Sequence, residues 1–130
     1  MSNKKIIATS DAPDAIGPYS QAVEANGFLF CSGQIAIDPH SGELVSGDIT
    51  AEAHQVMKNI GAVLAAAGLS YDNIVKTSIF LSDMDLFNAV NTVYSGYFEN
   101  PAHYPARETV AVRTLPKRVN VEISVTAVRG

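Results

Sequence analysis

Between Arg118 and Val128 the chain alternates strictly. Val119, Val121, Ile123, Val125 and Ala127 fall on one face, and Asn120, Glu122, Ser124 and Thr126 on the other. A period of two predicts a strand, and its apolar side marks the core. Shorter runs predict further strands over Lys5–Thr9, Ser20–Ala25, Phe28–Ile35, Ile74–Leu81 and Arg107–Arg113. Asn26-Gly27 between two of them is a two-residue hairpin signal. The period changes over Thr50–Ala67, where Ala53, Val56, Met57, Ile60, Val63, Leu64 and Ala67 recur at spacings of three and four. That stripe predicts an amphipathic helix, with Thr50 as its N-cap and Gly68 at the position after its C-cap. Ser82-Asp83-Met84-Asp85 resembles a capping box and opens a second helix. The apolar side of that helix is Leu86, Phe87, Val90, Val93, Tyr94, Tyr97 and Phe98, with Asn91 among them.

These elements predict an α+β fold: a mixed sheet of about six strands with two helices on one face. Two helices cover only one side. Phe28–Ile35 and Ile74–Leu81 are apolar on both faces, so the uncovered side predicts self-association through closed symmetry.

A chain of 130 residues is expected to be one domain, spanning 1–130. Its net charge of −4 argues against a nucleic-acid-binding face. One cysteine, Cys31, allows no intrachain disulfide and fits a reducing, cytoplasmic setting. Lys4-Lys5 precedes no long apolar run, so neither a secretory signal nor a membrane span is expected.

The common site patterns are absent: there is no glycine-rich phosphate loop, zinc spacing or nucleophile elbow, and His40, His54 and His103 are scattered. No metal is expected. Cys31 lies in an apolar strand with no His or Lys close in sequence and reads as an inert hydrophobe. What remains is Arg107, placed by Pro105 at the start of a strand, where a guanidinium can grip a carboxylate with two parallel hydrogen bonds. The plain alternative is an ion pair with Glu108. Glu122 is the one acid on the last strand, and its plain alternative is a pair with Arg118. Tyr19 follows the Gly17-Pro18 turn. Gly33, late in a strand, predicts a close approach by a ligand or another chain, and Ser32-Gly33 also reads as a bulge. With Ser32 and Asn91, these groups suit a small carboxylate and an attacking water.

Four motifs, in order and over almost the whole chain, resemble the Rid (formerly YjgF) family, most closely its RidA subgroup. They are Ile16-Gly17-Pro18-Tyr19-Ser20-Gln21-Ala22, Ser32-Gly33-Gln34, Pro105-Ala106-Arg107 and Val121-Glu122-Ile123. The resemblance implies a chorismate-mutase-like fold and a homotrimer with sites between subunits. It implies hydrolysis of 2-iminopropanoate or 2-iminobutanoate to the 2-oxo acid and ammonia, with no cofactor. Arg107 then matches the residue that holds the substrate carboxylate, and Glu122 the acid that orients or deprotonates water. Tyr19, Ser32, Gly33 and Asn91 match cleft positions, and Phe87 is a wall residue. Many RidA members carry a cysteine where this chain has Thr109, which shares a face with Arg107 by strand parity. Three rival roles are a non-catalytic carboxylate-binding regulator, an RNA-directed activity and a chaperone-like surface.

Overall fold

The computed structural model describes residues 3–130. Met1 and Ser2, part of the stretch considered above for a secretory signal, lie outside the described residues. The strands are β1 (Lys5–Ile7), β2 (Ala22–Ala25), β3 (Phe28–Cys31), β4 (Ile74–Leu81), β5 (Ala106–Ala111) and β6 (Val121–Val128). The two α-helices are α1 (Ile49–Ala66) and α2 (Phe87–Ser95). The sheet runs β1-β2-β3-β6-β4-β5. Only β4 and β5 are parallel, as expected where α2 forms the crossover between them. This is the α+β mixed sheet that the alternation predicted.

The core lies between the sheet and α1. Val121, Ile123, Val125 and Ala127 are buried, as is the whole predicted stripe of α1. The Asn26-Gly27 hairpin forms with both residues at positive φ (53° and 82°), and Gly68 adopts φ 76° after α1. The opposite sheet face stays open, with Phe28 40%, Phe30 50% and Val110 43% exposed. Among the described residues, no helix is long and apolar enough to cross a membrane.

Several boundaries differ from expectation. The N-cap of α1 is Asp48, not Thr50, because its carboxylate accepts the Thr50 N–H at 2.9 Å. Asp83, not Ser82, caps the turn before α2, accepting the Asp85 N–H. A bulge between Ile74 and Lys76 breaks the simple parity of β4: Ile74 turns inward and Val75 outward. The last strand begins at Val121 rather than Arg118. Lys117 and Arg118 sit at φ 54° and 56°, a left-handed conformation incompatible with a strand. The β3 ladder stops at Cys31 rather than Ile35. Phe30 pairs with Thr126 and Gln34 with Ile123, so four steps along one strand face three along the other. Ser32-Gly33 is the bulge, and it delivers Gly33 to the open face.

Candidate functional site

Arg107 is built into its position from three sides. It is the second residue of edge strand β5 and pairs with Thr77 of β4, on the helix-covered face. Its Nη1 donates to Asn91 Oδ1 of α2 at 2.7 Å. Its guanidinium carbon lies 5.5 Å from the Phe87 ring centre and 5.2 Å from that of Tyr94. Tyr94 is itself fixed, since its buried hydroxyl donates to Thr77 Oγ1 at 2.9 Å. Asn91 and Phe87 therefore orient the guanidinium and leave other N–H groups for a ligand. A cleft of about 330 Å³ opens here, lined by Asn91, Tyr94, Ser95, Tyr104, Pro105 and Arg107. Glu108 does not pair with Arg107. It lies on the other face, bonded to Lys76 at 2.9 Å and to the Ser78 hydroxyl. Thr109 shares the face of Arg107, and its buried Oγ1 has no hydrogen-bond partner.

Glu122 sits elsewhere. It pairs with Phe80, three residues along β4 from Thr77, so its side chain leaves the sheet by the opposite, open face. A second cavity of about 180 Å³ holds it, together with Tyr19, Gln21, Gly33, Ile35 and Lys117. A Cβ added to Gly33 would come within 2.5 Å of Glu122 Oε2. The close approach predicted at Gly33 is therefore made by a carboxylate of the same chain. Burial raises the Glu122 carboxyl above its ordinary value of 4.5. Neither salt bridge among the described residues involves it: these join Lys76 to Glu108 and Arg129 to Glu24. The expected alternative of a pair with Arg118 is not formed. Ser32 donates its hydroxyl to the Ser20 carbonyl at 2.6 Å, tying the bulge to the segment that carries Tyr19.

Three buried polar side chains, none singled out from the sequence, tie together segments near this second cavity, and Gln21 and Asn59 bond residues that line it. Gln21 accepts the Thr9 N–H and donates to the Thr9, Ala12 and Pro13 carbonyls. Asn59 of α1 donates to the Ile35 and Ile37 carbonyls. Glu52 of α1 accepts both the backbone and side-chain N–H of Asn120. A signal for two of them existed. Glu52 and Asn59 lie four residues before Val56 and Val63, on the predicted apolar stripe. Cys31 lies outside both cavities, with its thiol pushed up to about 12 by burial, so it stays protonated near neutrality.

The family model described as endoribonuclease L-PSP matches residues 9–129. The chain belongs to the Rid (YjgF) family. Among its relatives, the human protein named 2-iminobutanoate/2-iminopropanoate deaminase is 46% identical over 127 residues, covering 98% of this chain and 91% of the human one. The solved structure of the Rid protein YyfA from Yersinia pestis is 50% identical, with TM-score 0.93 over 96% of this chain and 98% of that one. Escherichia coli TdcF, solved with bound serine, is 42% identical, with TM-score 0.90 over 97% and 99% of the two chains. Fold and family resemblance therefore agree for this Rid protein.

Proposed function

We propose that this Rid protein hydrolyses 2-imino acids, 2-iminopropanoate and 2-iminobutanoate among them, to the 2-oxo acid and ammonia. The reading is supported by relatives that carry the name of this deaminase over nearly their full length. The observation that carries it is a pair of half-sites: an oriented guanidinium on one sheet face and a half-buried carboxyl against Gly33 on the other. One chain cannot bring them together across its own sheet. A symmetric assembly places the Arg107 face of one subunit against the Glu122 face of the next, and also covers Phe28 and Phe30. The resemblance to the family supports a homotrimer as that assembly. Light scattering at micromolar protein is then expected to give about three times the chain mass, and a stable monomer would contradict the shared cleft.

In this cleft Arg107 holds the substrate carboxylate and so fixes the adjacent imine carbon. Water held by Glu122 attacks that carbon. Glu122 takes a proton from the water as the C–O bond forms, and a carbinolamine results. Glu122 gives that proton to the nitrogen, then takes the proton of the carbinolamine hydroxyl and delivers it to the same nitrogen as the C–N bond breaks, so ammonia leaves as the carbonyl forms and Glu122 returns to the carboxylate. Water supplies the oxygen, so the balance needs no cofactor. Tyr19 and Gly33 shape the water side, and Ser32 steadies it. Asn91 and Phe87 act through Arg107. Thr109 sets a hydroxyl on the face of Arg107, beside the carboxylate grip. A net charge of −4 weighs against RNA as the ligand. Serine bound in TdcF fits a site for amino-acid-sized carboxylates and leaves a binding-only role to be separated by turnover.

The deciding assay generates the imine in situ with a pyridoxal-phosphate-dependent dehydratase and follows 2-oxo acid and ammonia together. Addition of this protein is expected to accelerate both in parallel. Tight 2-oxo acid binding with no acceleration would establish the binding-only role instead.

A further inference from the structure

Glu52 is 3% exposed, on the first turn of α1. A carboxylate so buried needs compensation. It has the nearby helix N-terminus and two donors from a single residue: the backbone N–H of Asn120 at 2.8 Å and its Nδ2 at 3.1 Å. Asn120 is also tied to the end of β4. Its carbonyl accepts the Ser82 N–H at 3.0 Å, and its Oδ1 accepts the Ser82 hydroxyl at 2.9 Å. The first turn of α1, the end of β4 and the start of β6 thus meet at one asparagine.

Two features place this junction next to the chemistry. Glu122 follows Asn120 by two residues and is only the second residue of β6. Before Asn120 the chain passes through Lys117 and Arg118, consecutive non-glycine residues at positive φ. Such a pair persists only where its surroundings hold it. Pro116 and Lys117 of this turn line the Glu122 cavity.

We propose that Glu52 is a positioning residue for Glu122: by clamping Asn120 it fixes the start of β6 and the left-handed turn that walls the Glu122 cavity. The clamp touches neither substrate nor water. It rests on the reading of Glu122 as the group that activates water.

A charge-conserving swap tests it. In Glu52→Gln the Asn120 amide can turn over, its oxygen accepting from the new amide nitrogen and its nitrogen donating to the Ser82 hydroxyl, so the clamp is kept. In Asn120→Asp two carboxylates face each other. In the double variant the introduced glutamine amide donates to the introduced aspartate, the backbone bond is kept, and Ser82 still has an acceptor. Asn120→Asp is expected to lower kcat for imine hydrolysis roughly 10-fold with KM little changed, since misplacement by a fraction of an ångström acts on the attacking water and not on the Arg107 grip, whereas Glu52→Gln is expected to stay within about 2-fold of the parent. The double variant is expected to return to within about 2-fold of the parent. Glu122→Gln is assayed alongside. If it loses turnover while assembled Asn120→Asp keeps parental kcat, the clamp inference is overturned and the reading of Glu122 stands. If Glu122→Gln keeps full turnover, that reading falls and the clamp inference with it. Should a single variant fail to assemble, the double decides: parental kcat supports the clamp, and a folded double with kcat still 10-fold down overturns it.

Discussion

Glu122→Gln is expected to keep the fold and ligand binding and to lose about 10²–10⁴-fold in kcat for imine hydrolysis, the range for loss of general acid–base help. Glutamine matches glutamate in shape and still fits against Gly33, where no Cβ could. It cannot take a proton from water. The pH dependence has a definite sign. Burial raises the folded-state value, and the base must be ionised, so parental turnover should fall as pH drops through a midpoint above 4.5. Stability runs the opposite way. The neutral form is favoured on folding, so its contribution is full below the unfolded value and is lost as pH rises through the folded one. Melting temperatures should therefore place Glu122→Gln at or above the parent near neutrality, with the gap closing in acid. Parental turnover in this variant would reduce Glu122 to a spacer.

Arg107→Lys is expected to be nearly as damaging to function and mild for stability. Lysine keeps the charge but not the planar fork. It can neither grip a carboxylate with two parallel bonds nor set a guanidinium over the Phe87 and Tyr94 rings while bonded to Asn91. Loss of one charge-assisted hydrogen bond, about 1.5–3 kcal/mol, corresponds to about a 10–150-fold drop in kcat/KM. Arg107 is exposed on an edge strand, so melting temperature and assembly should hardly change. Near-parental kinetics would show that Arg107 is not the carboxylate grip, whereas collapse of the assembly would make it a structural residue.

Much of this arrangement was legible in the chain because it is local. Alternation over Val121–Ala127 and the stripe of α1 need only near neighbours, and both elements form as read. Gly33 was marked by its isolation in a strand, although only the paired register reveals that Glu122 fills the space beside it. What stayed hidden depends on residues far apart. Arg107 and Glu122 point to opposite faces because one pairs with Thr77 and the other with Phe80, and sequence parity within each strand says nothing about that. The stripe of α1 marks Glu52 and Asn59 as inward-facing, but the partners that satisfy them, Asn120 and the Ile35 carbonyl, lie 68 and 24 positions away. The late start of β6 was hidden for a different reason: Lys117 and Arg118 adopt left-handed angles without the glycine or asparagine that usually signals them.

The central claim is that Arg107 of one subunit and Glu122 of the next serve one hydrolytic cleft. Co-assembly of an Arg107→Ala chain with a Glu122→Gln chain tests it directly, with 2-oxo acid release from an in-situ imine as the readout. Each homo-oligomer alone should be nearly inactive. In a random equal mixture, roughly one cleft in four receives an intact Arg107 from one subunit and an intact Glu122 from its neighbour, so about a quarter of parental activity should return. Mixed assemblies that stay as inactive as their components would contradict the shared cleft.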